Sequence, residues 1–133
     1  MKEITVEAMT GRAERFFQNK TQFPKERYPI VTVSEGEVLG GFLYYRDPKT
    51  GIMGVYLEGV SSVWFNHETL AKLVEFPFYS LGVKTVITTI SNSPQVASLC
   101  RKTGGIVLDE QPVKVVFTRE NALAAAKSLR GNV

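Results

Sequence analysis

Residues 83–105 read VKTVITTISNSPQVASLCRKTGG, and this stretch decides the fold because it places a strand directly before a helix. Val83 to Ile90 alternate and are rich in β-branched side chains, which predicts a strand. Ser93 is a typical N-cap, and Pro94 suits the first helical position, where its missing N–H costs nothing. Gly104 supplies the left-handed residue that ends many helices. We therefore predict a β-α unit here.

Residues 30–60 predict three antiparallel strands joined by tight turns. The segments IVTV, VLGGFLYYR and IMGVYLEGV have the composition of strands, and SEGE and DPKTG between them are typical turn sequences. Gly40 and Gly41 lie inside the second strand, where glycine indicates a bulge or a close backbone approach.

A central helix follows this meander, because apolar residues recur there at helical spacing. Asn66 or Thr69 is a candidate cap, and Gly82 is a candidate end. Pro77 lies inside the segment and predicts a kink or an early end. The apolar positions are Leu70, Leu73, Val74, Phe78 and Leu81.

The two ends of the chain supply the remaining elements. A strand ending at Ala8 precedes a short helix, and Asn19 to Pro29 is interpreted as a loop or a broken second helix that forms a mobile rim. Near the C-terminus, IVLDE and VKVVF predict a hairpin. Thr118 can cap a final helix, whose narrow apolar stripe either docks on the domain or pairs with a second copy. The stripe consists of Ala122, Leu123, Ala126 and Leu129.

The order of these elements predicts a mixed α/β fold. A strand and a helix come first, followed by the antiparallel meander, a helix, a strand, a helix and a hairpin. The central β-α-β unit predicts a parallel pair of strands with a right-handed crossover. With 133 residues, 44% of them hydrophobic, the chain fits a single domain. We expect a core of residues 1–118 and an added C-terminal helix over residues 119–131.

The composition excludes several functional classes. One cysteine and one histidine cannot form an internal disulfide or the usual zinc clusters, so no metal site is predicted. The sequence shows no signal-peptide pattern and no membrane-spanning apolar run, which predicts a soluble, cytoplasmic protein without a membrane partner. The net charge of +3 comes from cations scattered among acids, a pattern that does not predict nucleic-acid binding.

Up to about Phe117, the order of elements resembles the GNAT superfamily, the Gcn5-related N-acetyltransferases. In that family a helix starts at Asn or Ser and runs through Leu, an aromatic residue and Lys to Gly. Ser93, Leu99, Lys102 and Gly104 occupy those places here. The resemblance implies that this helix packs beside an acyl-CoA slot, with Ser93 and Lys102 as cofactor-binding residues.

The loop before the central helix departs from the family pattern. There the family has Gln/Arg-x-x-Gly-x-Gly/Ala, whose amides bind the CoA pyrophosphate at a helix N-terminus. Residues 61–69 read SSVWFNHET and contain no glycine. By position, Val60, Ser61 and Ser62 are the cofactor-binding candidates. Either the phosphates of acetyl-CoA or CoA sit differently in this chain, or the cofactor is not bound.

Two residues are candidates for catalysis by the same resemblance. Glu58 lies where the family often has a carboxylate that deprotonates the amine, if it shares a face with Tyr56 and points into the cleft. The alternative is that Glu58 faces solvent. Cys100 replaces the tyrosine that protonates the departing thiolate, and its alternative role is that of a small core residue. His67, the one histidine, fits a surface or capping position better than the position of a base.

Two functional hypotheses follow. The first is a binding protein that kept a GNAT-like scaffold, lost efficient acetyl transfer and contacts a protein partner through Trp64, Phe65 and the loop of residues 19–29. Degenerate GNAT-like proteins of this size occur among bacteriophage products, where the partner is a host enzyme or a virion component in the host cytoplasm. The alternative is an active acyl-CoA-dependent N-acyltransferase on a small amine or a protein amine. Pairing through the C-terminal helix would give a homodimer.

Overall fold

The computed structural model describes residues 3–60, 63–90 and 93–131, which contain a seven-stranded mixed sheet and four helices. The strands are β1 (Thr5–Ala8), β2 (Arg27–Ser34), β3 (Glu37–Arg46), β4 (Met53–Gly59), β5 (Thr85–Ile90), β6 (Ile106–Leu108) and β7 (Val113–Thr118). The helices are α1 (Gly11–Phe16), α2 (His67–Tyr79), α3 (Pro94–Lys102) and α4 (Arg119–Gly131).

The sheet confirms the predicted architecture. Its strands lie in the order β1-β2-β3-β4-β5-β7-β6. The pair β4–β5 is parallel, whereas the neighbouring pairs are antiparallel. The predicted meander is β2–β3–β4, the central crossover is β4–α2–β5, and the predicted hairpin is β6–β7.

Apolar side chains alternate between the two faces of the sheet and form a core on each side. On one face, Ile30, Phe42 and Val55 belong to a large core with α2 and α4. On the other face, Val31 and Leu43 form a smaller core with residues of α1. This alternation, which follows from the two-residue period of a strand, determines the face on which each site residue lies.

Capping interactions determine where α2 begins. The Asn66 side chain accepts a hydrogen bond from the Thr69 amide, and the Thr69 hydroxyl accepts one from the Asn66 amide, both at 2.8 Å. The helix continues through Pro77 and ends at Tyr79, so the break predicted at this proline was wrong, and the kink given as its alternative stays a prediction. Gly82 does not end the helix, because the C-cap is Ser80; Gly82 has φ +67° in the turn before β5.

The C-terminal helix docks on α2. Thr118 accepts a hydrogen bond from the Asn121 amide at 3.3 Å, as its predicted capping role requires. The apolar stripe of α4 faces the interior of the protein, and Ala122 and Ala126 are fully buried. At its end, Arg130 donates to both carboxylate oxygens of Glu75 in α2. The stripe therefore packs inside this chain, which was one of the two alternatives for it.

The segment between α1 and β2 is shorter than predicted, because β2 already begins at Arg27 and includes Pro29. The Arg27 guanidinium donates to carbonyl oxygens of this segment, at 2.6 Å to Phe23, 2.9 Å to Lys20 and 3.0 Å to Pro24. A planar cation with several donors can hold such a loop in one conformation. Within residues 3–60, 63–90 and 93–131, no helix has the length and apolar character needed to cross a bilayer.

Candidate active site

The candidate site lies where β4 and β5 separate. Met53 is in parallel register with Val86. Two residues further along, the Thr88 hydroxyl donates to the Val55 carbonyl oxygen at 2.8 Å. A side chain therefore bonds β4 at a position where a regular ladder would use the backbone of β5. Met53–Val86 is the one register pair of these strands within the described residues, although β4 continues to Gly59 and β5 to Ile90, so the strands separate and leave a cleft in the sheet.

An apolar cavity of about 30 Å³ lies beside this cleft. Its walls come from β3, β4, β5, β7, α2 and α3, and among them are Val55, Leu57, Thr88, Leu99 and Cys100. A volume of this size has room for about two water-sized groups, and its apolar walls offer few partners to water. The cavity therefore suits a short apolar group.

Cys100 is one of the walls of this cavity and is 4% exposed. Burial raises the pKa of its thiol, and the neighbouring Arg101 lowers it only in part. The thiol is therefore protonated at neutral pH, so it is a poor nucleophile but can still donate a proton. His67, the first residue of α2, is exposed.

Glu58 shares a face of β4 with Tyr56, as predicted, and this face is opposite to the cavity. Its carboxylate accepts a hydrogen bond from the Tyr56 hydroxyl at 2.8 Å and lies 3.0 Å from the Lys20 ammonium. Burial raises the pKa of Glu58, but the hydrogen bonds from Lys20 and Tyr56 outweigh this effect and the pKa is lowered. Glu58 is thus an ionised carboxylate that already holds a cation.

An aromatic ring lies against this ion pair. The Lys20 ammonium lies 5.3 Å from the centre of the Tyr56 ring, within the range of a cation–π interaction. Phe23 packs against the same ring at a centroid distance of 5.0 Å. The side chains of Lys20 and Glu58 are each 28% exposed. Together these residues make a half-buried ammonium–carboxylate contact beside an aromatic ring.

Trp64 is packed onto the sheet. Gly40 of β3 and Gly59 of β4 are register partners, and a Cβ on either would lie 2.5 to 2.7 Å from the indole ring. The Trp64 carbonyl accepts a hydrogen bond from the Thr32 hydroxyl at 2.6 Å. The close backbone approach predicted at Gly40 and Gly41 is confirmed, since a Cβ on Gly40 would lie 2.8 Å from the Glu58 carbonyl oxygen and one on Gly41 2.5 Å from the Ile30 carbonyl oxygen.

The structure describes three of the predicted cofactor-binding residues, Val60, Ser93 and Lys102, and brings no two of them together in one cleft among those it describes. Lys102 and Phe65 line an open cleft of about 610 Å³ with the first residues of α2. Ser93 caps α3, since its hydroxyl accepts from the Val96 amide at 3.4 Å. Val60 is 65% exposed just after β4. Ser61 and Ser62 lie outside the described residues.

Phe65, predicted with Trp64 to contact a partner, is half-buried. The two rings are 4.9 Å apart in an edge-to-face arrangement, and both pack against the large core. Phe65 keeps a face toward the open cleft that Lys102 also lines. The two aromatic residues therefore do not form a fully exposed pair, and any contact through this region would be made mainly by Phe65.

Three residues of this site were not predicted from the sequence. Lys20 and Thr88 carry no local signal, because their partners lie 38 and 33 residues away. Gly59 is the last residue of β4 and pairs with Gly40 of β3. Two glycines at paired positions were the sequence signal that could have predicted a large side chain packed on the sheet there.

Known proteins were compared with the chain by sequence and by structure. No protein-family model and no curated protein matches its sequence. An uncharacterized protein from Bacillus halodurans is 10% identical, with a TM-score of 0.69 over 98% of this chain and 92% of that one. The spermidine/spermine N-acetyltransferase SpeG from Vibrio cholerae is 10% identical, with a TM-score of 0.64 over 92% and 98%.

A further match carries a bound ligand. A GNAT family acetyltransferase from Elizabethkingia anophelis with acetyl-CoA bound is 14% identical, with a TM-score of 0.62 over 86% of this chain and 97% of that one. This chain therefore has the fold of the GNAT acetyltransferases, as the resemblance predicted. At such low identities the likeness establishes the fold, whereas activity depends on the site.

Proposed function

We propose that this protein binds a short-chain acyl-CoA between β4 and β5 and transfers the acyl group to a primary amine. The observation that carries the proposal is the separation of these strands beyond Val55, with an apolar cavity on one face and Glu58 on the other. An acyl thioester held at that gap would lie between a pocket for its apolar end and a carboxylate that binds an ammonium group. The cavity of about 30 Å³ favours an acetyl group over a long chain.

The residues around the cleft fit the rest of such a ligand. Lys102 lies across an open cleft from the N-terminus of α2, where a cation and helix amides both favour phosphate oxygens. The negative charge of Glu68 in the first turn of α2 would repel a phosphate group. This charge is compensated by Arg130, whose guanidinium lies 3.0 Å from the Glu68 carboxylate. When bound, the thioester supplies an activated acyl carbon.

The protein's own groups supply the proton chemistry. Glu58 binds the acceptor as an ammonium ion and takes its proton, which leaves the nitrogen lone pair free. Cys100 keeps its proton at neutral pH and is available as a donor on the cavity side. The half-buried Tyr56 hydroxyl holds the Glu58 carboxylate in position.

Calorimetric titration with acetyl-CoA tests this proposal. We expect micromolar binding by the native protein and a loss of about tenfold or more in Cys100→Leu, because the larger side chain fills the cavity. Ser98→Ala, at an exposed position on the same helix, is the matched control and should bind like the native protein. Absence of binding by the native protein at millimolar acetyl-CoA would overturn the proposal.

The second candidate function is a partner-binding protein without efficient acyl transfer. It is favoured by the ion pair that already engages Glu58 and by a loop in which an indole, not a glycine, covers the end of β4. Immobilised protein would then capture a specific bacterial protein, and Phe65→Ala would lose it. Ile106→Ser, at an exposed apolar position on β6, should retain it. Tight acetyl-CoA binding with turnover on an amine would contradict this candidate.

A further inference from the structure

The Lys20–Glu58 contact resembles an amine bound to its base. The ammonium nitrogen lies 3.0 Å from a carboxylate oxygen and 5.3 Å from the centre of an aromatic ring. These are the two interactions that a primary ammonium substrate would make there. The position that such a substrate would take beside Glu58 and Tyr56 is therefore occupied by an amine of the chain itself.

The backbone holds this amine in place. The Lys20 carbonyl oxygen accepts a hydrogen bond from the Arg27 guanidinium at 2.9 Å, and the Phe23 carbonyl accepts another at 2.6 Å. Because β2 fixes Arg27, the segment that carries Lys20 is attached to the sheet. This attachment keeps Lys20 in the chain segment beside Glu58, and an acceptor in the same chain as a bound thioester would have the advantage of an intramolecular group.

We propose that Lys20 is an internal acyl acceptor, which takes an acyl group from a short-chain acyl thioester bound between β4 and β5. The inference rests on the proposed function and assigns Lys20 as a self-modification site. Glu58 takes one proton from the Lys20 ammonium group. The neutral nitrogen forms a C–N bond to the acyl carbon as the C–S bond breaks, and the released sulfur takes the second proton as a free thiol.

Acylation would also change this contact. The product is a neutral amide, so the ion pair with Glu58 is lost and the carboxylate is released to bind another amine. Lys20 is thus both the first acceptor and a tethered competitor for later ones.

The chemistry of Lys20 provides a sharp test. The hydrogen bond to Glu58 raises the pKa of Lys20, which makes spontaneous acylation slower than at a free lysine. With the N-hydroxysuccinimide ester of acetic acid, which needs no binding site, Lys20 should react several-fold slower than Lys25, an exposed lysine of the same segment. With acetyl-CoA the order should reverse, and Lys20 should react faster by about 100-fold. Peptide mass spectrometry measures both ratios.

Variants separate this role from a structural one. Glu58→Gln should make Lys20 faster toward the ester and slower toward acetyl-CoA, whereas loss of structure would make every lysine more reactive. Lys20→Arg keeps the positive charge, and this variant should not show the mass increase of one acetyl group that acetyl-CoA is expected to produce in the native protein. The rate should be independent of protein concentration if the transfer is intramolecular.

The outcomes separate this inference from the proposed function. Calorimetric binding of acetyl-CoA with Lys20 modified no faster than Lys25 would overturn the inference and leave the proposed function standing. Absence of binding in calorimetry would overturn both. A rate proportional to protein concentration would overturn the internal transfer.

Discussion

Gly40 on β3 and Gly59 on β4 face each other in register, and the space that two side chains would occupy holds the indole ring of Trp64. The absence of two β-carbons lets the segment before α2 lie directly on the sheet. This packing fixes the entrance to α2, which lies beside the cleft.

Gly40→Ala should destabilise the protein by about 1 to 3 kcal/mol, because the new methyl group meets the indole at 2.5 Å and the Glu58 carbonyl at 2.8 Å. Urea unfolding followed by the fluorescence of Trp64, the single tryptophan, measures this change. Gly131→Ala is the control, since nothing lies within 4 Å of its added Cβ. Equal stability of the two variants would contradict the observed packing.

Glu58 should make the stability of the fold depend on pH. Its pKa is lowered in the folded state, so its stabilisation is present above the ordinary carboxyl pKa and is lost as the pH falls through the folded value. The difference in unfolding free energy between native protein and Glu58→Gln should therefore be larger at about pH 6 than at about pH 3. Urea titrations at both pH values measure it.

The exposed Glu3 provides the control for this pH dependence. Glu3→Gln should unfold like the native protein at both pH values. A constant difference for Glu58→Gln across this range would show that the ion pair with Lys20 is not formed.

Cys100 should react slowly with thiol reagents in the native protein. Its thiol is 4% exposed and burial raises its pKa, so reaction requires local opening. An opening free energy of about 3 kcal/mol slows the reaction by about 100-fold relative to protein in urea. Absorbance with Ellman's reagent reports on this residue alone, since the chain has one cysteine. A native rate equal to the rate in urea would place the thiol outside the core.

Arg27→Met should loosen the segment between α1 and β2, because its carbonyl groups lose their shared donor. Trypsin should then cleave after Lys20 and Lys25 several-fold faster than in the native protein, as gel electrophoresis and mass spectrometry would show. Arg15→Gln, at an exposed position in α1, is the matched control. Unchanged cleavage after Lys20 would mean that Arg27 does not hold the segment.

Arg130→Met should weaken the docking of α4 on α2 by about 1 kcal/mol, because Glu75 loses both of its hydrogen bonds. Urea unfolding measures the change. Lys127→Met, an exposed position on the same helix, should have little effect. The effect should persist at high salt better than that of an exposed pair, since the Glu75 side chain is only 15% exposed.

The sequence by itself determined the secondary structure and the class of fold. Helix α3 was predictable because Ser93, Pro94 and Gly104 act on the backbone next to them, and strand alternation placed Glu58 with Tyr56. The predicted start of β2 was wrong, because residues far away in the sequence decide where this strand begins. β2 begins at Arg27, two residues before Pro29, because the strand pairs with β3 from that point.

Only the tertiary structure decided how the site is assembled. Lys20 meets Glu58, Thr88 bonds to Val55, and Trp64 covers Gly40 and Gly59, although none of these partners are neighbours along the chain. Local sequence signals arise from interactions within one or two turns, whereas these contacts depend on how the strands are ordered and how the connecting segments pack. The sequence alone therefore determined the class of fold, whereas the contact between Lys20 and Glu58 is formed only in the tertiary structure.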